Sequence, residues 1–123
     1  MHSLRSDTDT NTLYMTFSED VTVANLARLE RTALVAARVL DRNFVLVTDI
    51  SDCTGVTASA IDRIDSVIHQ LVQFGLDREV RVVGETTPVA VRRQFDEVDG
   101  ERDIEIRTSA EESTDLAADR ASH

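Results

Sequence analysis

Asn43 to Ala60 reads NFVLVTDISDCTGVTASA, and the meaning of this stretch decides how the rest of the chain is arranged. Phe44-Val45-Leu46-Val47 is a continuous apolar run, the pattern of a central strand covered on both faces. A loop from Asp49 to Ser59 follows, crowded with carboxylate, hydroxyl and thiol groups, and a helix begins near Thr57. In an open α/β sheet, ligands and partners meet the carboxyl ends of the strands, so this loop is read as the working edge.

On the amino-terminal side, Leu13, Met15 and Phe17 alternate with Tyr14, Thr16 and Ser18, the period of a half-buried strand with an edge position. Asp20 or Thr22 can cap a helix that runs to about Leu40. Its buried stripe is Leu26, Leu29, Ala33, Ala36, Ala37 and Leu40. The opposite face carries Arg28, Arg31, Arg38 and Arg42, a solvated face with Glu30 and Asp41 as local counter-ions or a docking face for an acidic partner. On the carboxyl side, a helix from Thr57 to Phe74 stops at Gly75. Ile61, Ile64, Ile68, Leu71 and Val72 form its core stripe. Ala60, Val67 and Phe74 widen that stripe, as broad core or as a contact that leaves a homodimer open.

Glu79 to Val83 is a third strand. Thr87-Pro88 reads as an N-cap followed by proline at the first helical position, opening a third helix with Val91, Phe95 and Val98 inward. Asp99-Gly100 is a turn, and Ile104 and Ile106 mark a short edge strand. Ser109-Ala110-Glu111-Glu112 is a capping box that opens a last helix containing Leu116 and Ala117. The order βαβαβαβα predicts a small, mainly parallel four-stranded sheet with right-handed crossovers and helices on its faces. Residues 1–11 are read as a disordered lead-in, 12–118 as one α/β domain and 119–123 as a frayed tail.

The 123 residues suffice for one core without metal or disulfide support. A single cysteine, Cys53, makes no internal disulfide, so a reducing cytoplasm is expected. No apolar run approaches the roughly 18 residues of a membrane helix, and the amino terminus has no signal-like apolar core. All thirteen basic residues are arginine, against 23 acidic ones, for a formal charge of -10. An acidic, lysine-free surface resembles those of salt-loving organisms and opposes nucleic-acid binding, which rests on phosphate neutralisation.

Catalytic readings of the edge fail one by one. Asp49 stands where a response-regulator receiver holds its phosphoacceptor, but that chemistry needs a lysine and the chain has none. A Cys-x5-Arg phosphate loop from Cys53 requires arginine where Ser59 stands. His2, His69 and His123 are scattered and make no metal set. Gly84 stands alone, too little for a nucleotide loop. The reading is therefore non-enzymatic, with no cofactor and no metal. The hydroxyl series Ser51, Thr54, Thr57 and Ser59 remains, with Thr57 or Ser59 as the helix cap, Ser59 pairing with Asp62. A phosphate there would be favoured by the free N–H groups of the helix start.

These features resemble the STAS superfamily of sulphate transporters and anti-sigma-factor antagonists, most closely its SpoIIAA-like branch. The resemblance rests on Phe17-Ser18, Phe44 to Ser51 (FVLVTDIS), Phe74-Gly75-Leu76, Val80 to Gly84 (VRVVG), Val91 to Phe95 (VRRQF) and Ile106 to Leu116 (IRTSAEESTDL). It covers roughly residues 12 to 118. It implies a regulatory module that binds a protein partner, with a serine in an Asp-Ser-Ser/Thr-Gly signature at the start of the second helix as a phosphorylation switch. The closest string here is Asp52-Cys53-Thr54-Gly55; alignment by the helix start brings Thr57 or Ser59 to that position instead. The expected contact or switch residues are thus Asp49, Ser51, Asp52, Thr54, Thr57 and Ser59, with Asp49 fixing the loop by accepting backbone N–H bonds. A second function, binding of a lipid-like or small apolar ligand, needs a cavity at the Val67/Phe74 edge.

Overall fold

The computed structural model describes residues 2–99 and 103–108. Strands β1 (Ser3–Asp7) and β2 (Thr12–Val21) lead to helix α1 (Val23–Ala37) and strand β3 (Phe44–Val56). Helix α2 (Ala58–Gln73), strand β4 (Leu76–Val83), helix α3 (Val89–Asp99) and strand β5 (Ile104–Thr108) complete the order. The helix read at Ser109 and the tail 119–123 lie outside the described residues.

The strands form one sheet in sequential order, β1-β2-β3-β4-β5. β1 pairs antiparallel with β2, and every later pair is parallel. Phe44–Val47 therefore lies mid-sheet, as its apolar run requires, and β5 is an edge. Sequential order with right-handed crossovers carries each helix to the same side of the sheet. Leu26 and Leu29 of α1, Ile64 and Leu71 of α2, and Val91 and Phe95 of α3 share one core with Leu13, Phe17, Phe44, Leu46 and Ile50.

Two expectations about the first strand are corrected. Residues 1–11 are not a disordered lead-in throughout, because Ser3–Asp7 is a fifth strand, and β2 consequently does not sit at an edge. The reversal between them is made by Asp7, whose Oδ1 accepts the N–H groups of Asp9 at 3.0 Å and Thr10 at 3.3 Å. Asn11, at φ 52°, completes the turn in the left-handed region that Asn tolerates.

Helix boundaries follow side-chain capping. Thr22 caps α1, accepting from Asn25 N while Asn25 Oδ1 accepts from Thr22 N, a reciprocal pair. Glu30 is not the counter-ion of the α1 arginines; it reaches Arg63 of α2 at 3.1 Å and ties the two helices. Thr87 does not cap α3, because its hydroxyl turns back to the sheet. Its role is given below.

Gly75 ends α2 with φ 112° and its carbonyl accepts from Asn43 N at 2.8 Å, bringing the entrance of β3 against the exit of α2. A Cβ at Gly75 would lie 3.0 Å from Arg42 Cα, in backbone that cannot move aside cheaply. Gly75→Ala should therefore lower stability by about 1–3 kcal/mol, read as a shift in urea midpoint at unchanged slope; an unchanged midpoint would show that this junction is not under constraint.

Candidate functional site

The stretch read as a loop is mostly strand. β3 continues to Val56 and outruns β4, which pairs with it only as far as Asp49↔Val82. Beyond that point β3 keeps β2 as its partner through Ser18↔Asp52, Glu19↔Cys53, Asp20↔Gly55 and Val21↔Val56. Two register shifts, between Thr16 and Ser18 and between Glu19 and Asp20, each leave an extra residue on β3. Ile50, Cys53 and Val56, all buried, therefore recur every third residue and not every second. Glu19 absorbs the second shift with φ 61°, a strained backbone state for a non-glycine residue.

The result is a two-stranded arm at the carboxyl end of the sheet, latched by side chains. Thr54 Oγ1 donates to Asp20 Oδ1 at 2.7 Å across the two strands. Gly55 leaves room for that carboxylate, since a Cβ there would stand 3.0 Å from Asp20 Oδ1. Asp49 Oδ1 accepts both Ser51 N at 2.9 Å and Ser51 Oγ at 2.6 Å, so it fixes the backbone as expected, within the strand and not in a loop. Thr87, buried, accepts from Gly84 N at 2.9 Å, and its own hydroxyl lies 3.1 Å from Ser51 O and 3.3 Å from Ile50 O. The start of α3 is thereby clipped to the base of the arm.

The six residues selected from the sequence do not converge on one point. Asp49 and Ser51 form one pair, and Thr54 joins Asp20. Asp52 is exposed on the arm. Thr57 caps α2, accepting from Ala60 N at 3.1 Å, so the Ser59–Asp62 capping pair does not form. Ser59 is exposed in the first turn of α2, and its hydroxyl has no hydrogen-bond partner among the described residues. Of the four hydroxyls in the series, Ser59 alone has no structural bond. Asp20, Glu19 and Thr87 were not selected as site residues. The Ser18-Glu19-Asp20 string at the end of the first strand was the available signal, because parallel neighbours end at the same edge.

Cys53 is buried and its Sγ lies 3.4 Å from Gly55 O; burial pushes its thiol pKa up, and the nearby Asp20 carboxylate adds in the same direction, outweighing a lowering contribution from the Gly55 backbone. Such a thiol is a poor nucleophile. His69 pairs with Asp65 at 3.3 Å on the exposed side of α2. Among the described residues no group of three or more His, Cys, Asp or Glu is placed to hold a metal ion. Val67 is core, and the cavity it lines measures only about 10 Å³, room for at most a water molecule. No described helix is long and apolar enough to cross a membrane.

A mixed, mostly parallel sheet in sequential order, backed by three helices and carrying a capped α2 at the end of a long central strand, is the STAS fold. The chain superposes on a solved structure, the anti-sigma factor antagonist SpoIIAA in its unphosphorylated form. The TM-score is 0.64 over 98% of this chain and 97% of that one, at 14% sequence identity. No protein-family model matches the sequence. No curated protein matches it either.

The clip at Thr87 is directly testable. Thr87→Val keeps the shape but leaves the Gly84 N–H buried without an acceptor, a loss of about 1–3 kcal/mol, whereas Thr87→Ser should retain most of the stability. Equal urea midpoints for the valine variant and the parent would contradict the assignment.

Proposed function

We propose that this chain is a non-catalytic regulatory module that binds a protein partner through the β2–β3 arm and the first turn of α2. Ser59 is its switch residue. One observation carries the assignment: Ser59 presents an exposed, unbonded hydroxyl on the first turn of α2, while Ser51, Thr54 and Thr57 spend theirs on Asp49, Asp20 and the helix cap. Likeness of fold to an anti-sigma factor antagonist supports the functional class, and the partner of choice is an anti-sigma factor of the same organism.

Transfer of a phosphoryl group from a nucleoside triphosphate to Ser59 Oγ, with loss of the hydroxyl proton, would place nearly two negative charges at the helix start. Free N–H groups there favour the phosphate locally. Towards a partner its effect is opposite, because the edge is already acidic with Glu19, Asp20, Asp52 and Asp62. The modified edge repels any acidic contact and loses the neutral hydroxyl that an unmodified complex would bury. The lysine-free, acidic composition supports a cytoplasmic setting in a salt-loving organism, where screening shortens the reach of its formal charge of -10. The same charge opposes association with nucleic acid.

Binding of the anti-sigma factor, measured at the high ionic strength of such a cytoplasm, tests the proposal. Ser59→Glu should weaken affinity by about tenfold or more, roughly 1.4 kcal/mol, with the thermal transition unchanged, while Ser59→Ala stays within about twofold of the parent. Thr57→Glu is a poorer probe, because it also removes the cap. Equal affinity for parent and Ser59→Glu would refute the switch; absence of binding by the parent would refute the partner class.

A further inference from the structure

The outward face of α1 is basic in a chain that is otherwise acidic. Leu26, Leu29, Ala33 and Ala37 turn one side of the helix into the core. Arg28, Arg31, Val35 and Arg38 recur at three- and four-residue spacing on the side opposite. From Ala24 to Val39 every exposed residue is neutral or arginine, although the chain holds 23 acidic residues. Glu30, the acid within the helix, leans away to Arg63 at 3.1 Å. Among the described residues Arg28, Arg31, Arg38 and Arg42 have no ion-pair partner, the adjacent Asp41 included. Arginines elsewhere are engaged: Arg5 lies over the Tyr14 ring, Arg78 and Arg107 hold Glu105, Arg81 meets Asp96 and Arg92 donates to the Gly84 carbonyl. Val35 and Val39 stand among the unpaired guanidinium groups at 63% and 62% exposure. A β-branched residue is a weaker helix former than alanine or leucine, and here Val35 buries little in exchange.

We propose that this face of α1 is a second docking surface, and that its occupant is an acidic, amphipathic segment of a partner protein. An apolar centre with arginine around it is the composition of a protein interface. The arginine fork matches a carboxylate, and Arg28 to Val39 runs for about 16 Å, room for about three turns of a partner helix. Exposed arginine–carboxylate pairs alone contribute little, so the occupant also needs apolar side chains that cover Val35 and Val39 and keep water from the pairs. Other polyanions fit less well. Nucleic acid and anionic lipid would both approach a chain of formal charge -10, and the face has no aromatic ring for bases to stack on. A second copy could offer its own acidic arm, but among the described residues no large exposed apolar side chain lies on that arm to cover the valines. Only Arg28 adjoins the arm, sharing a depression of about 330 Å³ with Glu19 and Asp20. The inference does not rest on Ser59 or on the partner assigned to the arm.

Titration of the full chain with a synthetic peptide of glutamate and leucine at helical spacing, followed through the backbone amide signals, tests the proposal. Docking predicts that the shifts concentrate between Arg28 and Val39. The double variant Arg31→Glu/Arg38→Glu should weaken binding by about tenfold or more, and Arg31→Gln/Arg38→Gln should weaken it in the same direction with the charge removed and not reversed. Val35→Ser should weaken it by about threefold or more, while Arg93→Glu, on the exposed side of α3, stays within about twofold of the parent. Shifts centred elsewhere, or affinity indifferent to the α1 arginines, would overturn the proposal. So would indifference to Val35→Ser or equal binding of polyglutamate, either of which would leave a bare charge effect. Tighter binding of a single-stranded oligonucleotide or of anionic phospholipid vesicles would contradict the occupant named, and α1 shifts that grow with protein concentration in the absence of peptide would identify a second copy instead.

Discussion

The parallel ladder between β2 and β3 governs the geometry described above. Phe44 to Val47 supplies its apolar middle, with Phe44 and Leu46 facing the helices and Val45 and Val47 packed with Val80 and Val82 on the other side. Two-sided burial fixes the register, because a slip of one residue would turn the aromatic side to the wrong layer. Once register is fixed at Leu13↔Leu46, the two strands must run on together past the end of β4, and the bulges then decide which side chains point outward on the arm. Val21 O closes the ladder by accepting from Thr57 N at 3.1 Å, so the cap of α2 is set directly by the strand pairing. The position of Ser59 is thus a consequence of a hydrophobic segment more than ten residues away.

Polar fastening does for the arm what burial does for the middle of the sheet. Thr54–Asp20, Asp49–Ser51 and Thr87–Gly84 all use short side chains, which lose little rotamer entropy when ordered. The carboxylates that fasten the arm also make it negative. At the far edge the arrangement is different: Arg78 and Arg107 flank Glu105, and the Arg78 hydrogen bond is the main reason the Glu105 carboxyl is held below its usual pKa. Because Glu105 is solvent-exposed, that pair is screened in salt and contributes little to stability. The arm is thus fastened by short hydrogen bonds, two of them to carboxylates and one buried and neutral, and not by arginine–carboxylate pairs.

Much of this was legible in the sequence. The apolar run placed β3 at the centre and Gly75 marked the end of α2; the stripes of α1, α2 and α3 predicted most of their buried residues, but Val72, read as core, is exposed, and α1 ends at Ala37, short of Leu40. The first strand was missed because Ser-Leu-Arg-Ser-Asp offers a single apolar residue, Leu4, to the core; its only local signal was the polar turn Asp7 to Asn11. The extension of β3 was missed for a different reason. Bulges space Ile50, Cys53 and Val56 three apart, and a search for strict alternation reads such a segment as loop. The choice among the hydroxyls also lay beyond sequence, since Thr57 and Ser59 are equally good caps on paper and only the backbone of the first turn of α2 distinguishes them.

Amide hydrogen exchange along Asp52–Val56 tests the central claim most directly. If these residues are a paired strand latched to β2, the amides that bond to β2 should exchange at least about a hundredfold slower than an unstructured peptide, and Thr54→Val should accelerate them while leaving Leu46 and Val47 unaffected. Exchange at peptide rates throughout Asp52–Val56 would mean that the arm is a loop after all, and the placement of Ser59 would lose its basis.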